Sequence, residues 1–295
     1  MVPPKPVSPD PKSGDVFALQ VHLDREGFSP GGIDGRWGSK TQKALAGWLA
    51  AKGRPAYVQG DPLPPELLGR KGLLTSYVVT AADHAALTPW PASWLARSRQ
   101  ETLGYETVCE ALGERFHIFE EALRRLNAGA AWPNPPAGTR LIVPDVREVT
   151  RLPSSLDRLE ISVSQRLVRA YKGGKQVAQF PCSIAADKAK RPVGQTLKIG
   201  ICADHPEYTF DPSMYAGDPN AAGITKRLRI PPGPNNPVGL AWMGLSPLPG
   251  YGLHGTPAPD KISHTESHGC FRLTNWDARA LLRVVTPGLP VHIVP

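Results

Sequence analysis

Apolar residues at helical spacing predict two helices near the start of the chain. Leu19 and Leu23 share one face of the first helix, and a glycine-rich segment over 27–35 then breaks the pattern. Ser39, with Gln42 three residues later, forms a capping-box signal, which predicts that a second helix begins there. The apolar face of this second helix comprises Ala44, Leu45, Trp48 and Leu49. Together these patterns predict a helical hairpin with a tight loop.

The middle of the chain combines strand and helix patterns. The predicted elements are a strand over 77–80, helices over 105–116 and 119–126, and a strand over 139–144. A stretch that contains Pro and Trp, between Thr80 and Tyr105, separates the first strand from the first helix. The order of strand, two helices and strand predicts a compact α/β module.

The pattern changes to strand-like alternation from about residue 156. Leu159, Ile161 and Val163 alternate with polar residues, as in a half-buried strand. Further predicted elements are strands over 167–171, 176–184, 195–201 and 291–294, a hairpin turn at 172–175, and a helix capped by Thr274 or Asn275. These patterns predict a mostly β domain, closed as a sandwich or barrel. Residues 205–252, crowded with Pro and Gly, predict a flap over a site, with disorder as the alternative.

The composition is that of a globular protein with several domains. The chain has 295 residues, of which 41% are hydrophobic, and its 33 prolines and 29 glycines favour turns and short strands over a helical bundle. No apolar run approaches the roughly 20 residues of a membrane-spanning helix. We predict a multidomain α+β protein, whose parts are a Pro-rich tail or linker over 1–13, a small helical module over 14–60, an α/β module over 73–146 and a mostly β domain over 156–295.

The net charge of +8 suits nucleic acid, an anionic membrane surface or an acidic wall polymer, or simply a solvated surface. Lys and Arg are scattered and no groove-reading motif is visible, so we expect no nucleic-acid binding. The four cysteines are too few for a disulfide scaffold, and no pair has zinc-ligand spacing, so we expect no metal. Cys182 and Cys202 either pair across a sheet or remain buried thiols.

The best candidates for catalytic residues lie around Cys270. His268 lies two positions before this cysteine, and His254 lies sixteen positions before it. A thiol needs a base to become a good nucleophile, and either histidine is within loop reach. From spacing alone His268 is the obvious base, because it is nearer in sequence. The pattern therefore predicts a cysteine acyl-transfer enzyme.

The C-terminal half resembles the YkuD-type L,D-transpeptidases, which cross-link peptidoglycan stem peptides. The likeness is carried by residues 191–194, by His254 with Gly255, and by residues 267–273, in the family's order and spacing. It implies a sandwich-like β domain, no cofactor and a thioester mechanism. The thiol would attack the carbonyl of the third residue of a donor tetrapeptide, D-Ala would leave, and an amine of a neighbouring stem would take the acyl group in a 3-3 cross-link. Carbapenems inhibit this family by acylating the thiol.

The same resemblance assigns roles to individual residues. Cys270 becomes the nucleophile and His254 the general base, whose ring is oriented by the backbone carbonyl of Gly255. The amides of Gly269 and Cys270 are candidate oxyanion donors. His268 moves from the role of base to the support of this loop or the lining of the substrate site.

Further candidates surround these residues, each with more than one interpretation. Ser267 is expected to hold the loop by a local hydrogen bond. Arg272 either pairs with a substrate carboxylate or braces the loop. Trp242 and Tyr251 either line the acceptor groove or pack in the core.

The two N-terminal modules resemble wall-binding modules. Residues 19–20, 33–35 and 44–45 match the small peptidoglycan-binding repeat found beside wall enzymes, with a generic helical hairpin as the alternative. Residues 123–127 and 137–144 resemble the LysM fold, which grips glycan chains, although an insertion follows the first strand. A degenerate module that only packs on the enzyme is the alternative to a glycan binder.

The resemblance implies stem tetrapeptides, as donor and acceptor, and glycan strands as partners of a monomeric enzyme. Water as acceptor would make it an L,D-carboxypeptidase or cross-link hydrolase, and a protein lysine would make it a lipoprotein-anchoring enzyme; the sequence does not separate these. A non-catalytic wall-binding protein is disfavoured, because a binder needs neither His254 nor Cys270. Peptidoglycan lies outside the inner membrane, so we expect export to the periplasm or cell wall, with the signal peptide removed from this chain.

Overall fold

A computed structural model describes residues 12–146, 152–215, 217–264, 267 and 269–295 of the chain. Its α-helices are α1 (Ser13–Arg25), α2 (Ser39–Ala51), α3 (Ala81–Ala85), α4 (Trp94–Arg97), α5 (Val108–Arg115), α6 (Glu120–Leu126) and α7 (Asn275–Leu282). Its strands are β1 (Leu74–Val78), β2 (Arg140–Pro144), β3 (Arg158–Ser162), β4 (Leu167–Lys172), β5 (Lys175–Pro181), β6 (Thr196–Asp204), β7 (Tyr208–Phe210), β8 (Leu228–Ile230), β9 (Ala241–Ser246), β10 (Gly252–His254), β11 (Phe271–Arg272) and β12 (Pro290–Val294). Most of the tail predicted over 1–13 lies outside the described residues. No described helix is long and apolar enough to cross a membrane.

The loop of the N-terminal helical hairpin is held by a buried side chain. Gln20 on α1 accepts hydrogen bonds through its side-chain oxygen from the amides of Asp34 (2.9 Å) and Gly35 (2.7 Å). The predicted capping box is wrong, because the residue before α2 is Gly38 and no described side chain caps the helix. Ser39 is already the first helical residue, so its hydroxyl lies inside the first turn. The predicted apolar face of α2 is buried.

The middle segment folds as an antiparallel strand pair packed on two helices. β1 and β2 pair along their whole length, and α5 and α6 share one buried core with them. β1 ends at Val78 and not at the predicted Thr80. The Thr80 side chain instead caps α3 by accepting a hydrogen bond from the amide of Asp83. The stretch from here to Tyr105 contains α3 and α4.

The C-terminal part is built on one curled sheet. Among the described residues, this sheet has eight strands in the order β11-β10-β9-β6-β12-β3-β4-β5. Ser183, just after β5, exchanges backbone hydrogen bonds of 2.9 and 3.0 Å with Arg272 of β11, so the two edges of the sheet meet. The prediction of a mostly β domain is confirmed. The sheet closes by curling on itself instead of splitting into two facing sheets.

Two alternatives that the sequence leaves open are resolved. The residue that caps α7 is Thr274, whose hydroxyl accepts a hydrogen bond of 3.1 Å from the amide of Asp277. Cys182 and Cys202 are both free thiols, and Cys182 is buried in the core of the curled sheet.

The segment over 205–252 divides into a flap and a strand. Its end is not a loop, because Ala241–Ser246 form β9 in the middle of the curled sheet. Its first part contains the two-stranded ribbon of β7 and β8, in which Thr209 lies opposite Arg229. The flap is therefore the part over 205–240.

Buried polar contacts join the N-terminal and middle segments to α7. Ser29, after α1, donates a hydrogen bond of 2.9 Å to the carboxylate of Asp277. The ring of His117, between α5 and α6, lies 3.0 Å from the carboxylate of Asp24 on α1 and stacks on Trp276 of α7. These contacts pack both N-terminal segments against the helix that follows the strand β11.

Candidate active site

Two neighbouring strands bring His254 and Cys270 to one cavity. β10 ends at His254, and β11 begins directly after Cys270. The strands run parallel, with Leu253 opposite Phe271 and His254 opposite Arg272. The ladder therefore fixes the relative position of the imidazole and the thiol. Both line a cavity of about 630 Å³, whose other wall is the flap.

The imidazole of His254 is held in one tautomer. The residue is 4% exposed, and its Nδ1 lies 2.6 Å from the carbonyl oxygen of Gly255. A carbonyl oxygen can only accept, so Nδ1 carries the proton and Nε2 is left as the basic nitrogen. Trp242, opposite on β9, stacks on the ring with 5.7 Å between centroids. Burial, reinforced by the charge of Arg272, lowers the pKa of His254 to about 4 despite the Gly255 carbonyl, so the ring is neutral at pH 7.

The thiol of Cys270 is half-buried and protonated at rest. Its Sγ donates to the carbonyl oxygen of Gly250 at 3.3 Å. Burial raises the pKa of the thiol above its usual range, although the backbone amide of Gly252 and the charge of Arg272 both oppose this shift. The resting pair with His254 is therefore thiol and imidazole, not thiolate and imidazolium.

Ser267 holds the loop that precedes the thiol. Its Oγ donates to the carbonyl oxygen of Cys270 at 2.5 Å and accepts from the amide of Gly269 at 3.2 Å. Its backbone forms an isolated bridge with Ala185, which ties the loop to the sheet. The Gly269 amide is thus bonded within the loop in this structure. His268 lies outside the described residues.

The candidates for substrate binding occupy different places. Arg272 and Trp242 line the cavity. Tyr251 packs against the core of the curled sheet, and a Cβ at Gly269 would lie 3.7 Å from its ring. Tyr251 therefore supports the loop from behind, and it is absent from the described cavity lining.

Sequence reasoning missed the flap side chains that form the facing wall of the cavity. Tyr208 of β7 and Tyr215 line the cavity, with 2.9 Å between their hydroxyl oxygens. Burial, together with this hydrogen bond, raises the pKa of Tyr208, so its hydroxyl is neutral near pH 7. Tyrosines inside a segment otherwise crowded with Pro and Gly are the signal that could have found them.

The insertion before α5 supports this flap from outside the cavity. Trp94 of α4 stacks on Phe210 of β7 with 4.4 Å between ring centroids. Leu103 donates through its amide to the carbonyl oxygen of Pro232 (2.9 Å) and accepts from the amide of Asn235 (3.0 Å). One wall of the cavity therefore depends on contacts with the middle segment.

Replacing Trp94 by alanine should loosen the flap without touching the reacting groups. Trp94 is 6% exposed, and removing a buried tryptophan costs about 3–5 kcal/mol in a core. We expect faster hydrogen exchange in β7 and β8, and a fall of about tenfold in kcat/KM as the cavity wall shifts. The control is Leu95→Ala on the same helix, at a side chain that is 42% exposed. Exchange and kinetics that match the control would contradict this role of Trp94.

Comparison with known proteins shows which family the C-terminal part is similar to. Residues 157–293 match the family model of YkuD, the L,D-transpeptidase catalytic domain. The putative L,D-transpeptidase YkuD of Bacillus licheniformis is 26% identical over 186 residues, which are 63% of this chain and 93% of that protein. The probable L,D-transpeptidase YbiS of Escherichia coli is 33% identical over 133 residues, which are 45% of this chain and 42% of YbiS. The chain thus spans nearly all of the first relative and less than half of the second.

Solved L,D-transpeptidase structures are more weakly similar. The crystal structure from Xylanimonas cellulosilytica aligns over 99% of this chain and 99% of that one, with 16% identity and a TM-score of 0.41. L,D-transpeptidase 3 of Mycobacterium tuberculosis aligns over 56% of this chain and 77% of that one, with 17% identity and a TM-score of 0.36. These scores are too low to inform function. The family match and the sequence relatives support a YkuD-type L,D-transpeptidase catalytic domain in residues 157–293.

Proposed function

We propose that this protein is a peptidoglycan L,D-transpeptidase that forms 3-3 cross-links through a thioester on Cys270. The observation that carries the proposal is the register of β10 and β11, which presents His254 and Cys270 to one cavity. The family match of residues 157–293 supports the same class of reaction. Stem tetrapeptides are the donor and the acceptor, and the reaction needs no cofactor.

The first half-reaction transfers the donor acyl group to the enzyme. The Sγ of Cys270 attacks the carbonyl of the third stem residue while its proton passes to Nε2 of His254. The amides of Cys270 and Gly269 stabilise the oxyanion, the latter after exchanging its 3.2 Å bond to Ser267. The C–N bond to D-Ala then breaks, and His254 returns the proton to the leaving amine. A thioester and free D-Ala result.

The second half-reaction transfers the acyl group to a neighbouring stem. A side-chain amine of the acceptor attacks the thioester, and His254 moves a proton from that amine to the departing Sγ. An amide now joins two third residues, and the thiol is regenerated. Because burial lowers the pKa of His254 to about 4, the ring is neutral at pH 7 and its Nε2 is free to accept the proton in each step.

We further propose that the two N-terminal segments attach the enzyme to the cell wall. Residues 14–60 contain the hairpin of α1 and α2, and residues 73–146 contain two strands with α5 and α6 between them. Glycan strands are the partners that such modules would hold. The enzyme would meet them in the periplasm or the wall.

Product analysis by mass spectrometry with a purified disaccharide tetrapeptide tests the reaction. We expect a dimer with the mass of two monomers minus one D-Ala, because the acceptor amine replaces D-Ala on the acyl carbon. Tripeptide without dimer would identify a carboxypeptidase instead, and a product formed only with a protein lysine would identify an anchoring enzyme. Sedimentation of the Cys270→Ala protein with insoluble peptidoglycan tests wall attachment, and protein left in the supernatant would contradict it.

A further inference from the structure

A buried carboxylate of the middle segment reaches the C-terminal sheet. Glu114 on α5 is 8% exposed. Its two carboxylate oxygens accept hydrogen bonds of 2.8 and 3.0 Å from Nδ2 of Asn275, and one of them also accepts from the hydroxyl of Tyr105 at 3.0 Å. Asn275 is fully buried at the start of α7, 161 positions further along the chain. The contact therefore joins two segments that are distant in sequence.

Asn275 in turn contacts the main chain that orients the imidazole. Its Oδ1 accepts a hydrogen bond of 3.0 Å from the amide of Leu240. The side chain lies so close to Gly239 and Gly255 that a Cβ at either position would overlap Oδ1. Gly255 is the residue whose carbonyl accepts from Nδ1 of His254 at 2.6 Å. An unbroken series of contacts thus runs from α5 to the imidazole.

We propose that Glu114 is a positioning residue, which holds Asn275 against the main chain that orients His254. A side-chain amide has a donor end and an acceptor end; here the donor end is bonded to Glu114 and to the carbonyl oxygen of Pro234, and the acceptor end to the amide of Leu240. Without an acceptor at position 114, the amide of Asn275 keeps only its 3.1 Å hydrogen bond to the carbonyl oxygen of Pro234 and loses the two contacts that tie it to α5. The inference rests on the proposed role of His254 as the base.

The charge state of Glu114 gives the proposal a pH signature. Burial raises the pKa of Glu114 to about 8, although hydrogen bonds from Asn275 and Tyr105 lower it. The titratable and charged groups around this carboxyl are Tyr105, Glu110, Arg115, His117, Arg279 and Arg283. Either form of the carboxyl accepts from the Asn275 amide, and the ionised form accepts more strongly. The hydrogen bond that holds Asn275 in position should therefore strengthen as the pH rises through the pKa of Glu114.

Kinetics of three variants test the proposal. Glu114→Met keeps the volume and removes the acceptors, so we expect kcat/KM to fall by about tenfold or more, as for a small displacement of a catalytic group. Glu114→Gln keeps an acceptor but does not ionise. It should therefore retain most of the activity, and its plot of kcat/KM against pH should lose the inflection at a pH of about 8. Glu106→Gln, an exposed acid just before α5, is the matched control and should behave as the wild type. Wild-type kinetics in Glu114→Met would overturn the proposal.

The imidazole also gives a readout that does not depend on catalysis. In protein labelled with 15N-histidine, His254 of the wild type should appear as the tautomer protonated on Nδ1. In Glu114→Met we expect exchange between tautomers, and in Glu106→Gln we expect none. Unchanged His254 resonances in a folded Glu114→Met protein would overturn the proposal. An inactive wild type with the expected resonances would instead contradict only the proposed function.

A reciprocal exchange of donor and acceptor covers the case in which Glu114→Met does not fold. Asn275→Asp places a second carboxylate against Glu114, so the pair is held only while it shares a proton, and we expect the variant to be nearly inactive in assays above the pKa of Glu114. The double variant Glu114→Gln with Asn275→Asp restores one donor and one acceptor in the opposite direction. We expect it to regain about tenfold in kcat/KM over Asn275→Asp alone. A folded double variant without this recovery would overturn the proposal.

Discussion

Cys270→Ala should remove all covalent chemistry from this protein and leave its fold intact. The side chain is half-buried at the cavity wall, and its Sγ donates a hydrogen bond of 3.3 Å to the carbonyl oxygen of Gly250. Alanine offers no nucleophile, so no thioester can form in either half-reaction. We expect neither dimer nor tripeptide from the tetrapeptide, and a melting temperature close to that of the wild type.

Intact-mass measurement after exposure to a carbapenem gives the clearest readout of this variant. The wild type should gain the mass of one carbapenem, and Cys270→Ala should gain none. Cys202→Ala is the matched control, because Cys202 is also a half-buried free thiol in the curled sheet, and it should be labelled like the wild type. A carbapenem adduct on Cys270→Ala would remove Cys270 from the role of nucleophile.

The second large effect is expected from His254→Ala. Loss of a general base typically costs about 100- to 10,000-fold in rate. Little thiolate is present at pH 7 to compensate, because burial raises the pKa of Cys270 above its usual range. We therefore expect the rate constant for acylation by a carbapenem at pH 7 to fall by about 100- to 10,000-fold.

The pH dependence of the same rate constant separates loss of a base from loss of structure. In the wild type the pKa of His254 is about 4, so the rate should fall only as the pH drops through that value. In His254→Ala only spontaneously ionised thiol reacts, so the rate should rise about tenfold per pH unit through pH 9. His292→Ala on β12 is the control. A normal rate at pH 7 in His254→Ala, or one independent of pH, would remove His254 from the base role.

The motif around Cys270 was sufficient to single out the reacting residues, but the strands that carry them, β10 and β11, were not predicted from the sequence. His254 and Cys270 each border a short strand, and the two strands are neighbours in the sheet. Alternation around Ile161, by contrast, predicts β3 close to its observed bounds. The choice of His254 over the nearer His268 came from the family resemblance, and the Gly255 carbonyl is consistent with that choice.

Contacts between distant segments could not be predicted from the sequence. Glu114 has the pattern of an ordinary acid on an amphipathic helix, and only the packing of α7 buries it beside Asn275. The local signal at Ser39 failed for a related reason, because a tertiary contact from Gln20 fixes the loop instead. In each case the deciding partner lies on another element, where neither periodicity nor spacing can locate it.

The closure of the curled sheet also restricts how a peptide can approach the nucleophile. An exposed sheet edge can bind an extended peptide as an added strand, because its main-chain groups are unpaired. On β11 those groups are occupied, since Arg272 exchanges both backbone hydrogen bonds with Ser183 on the side away from β10. The stem peptide of the proposed reaction therefore cannot pair with Arg272 to extend the sheet beside Cys270. It has to be recognised through the side chains of the cavity wall and the amides of the nucleophile loop. Its D-configured end therefore need not match the backbone hydrogen-bond spacing of a β-strand.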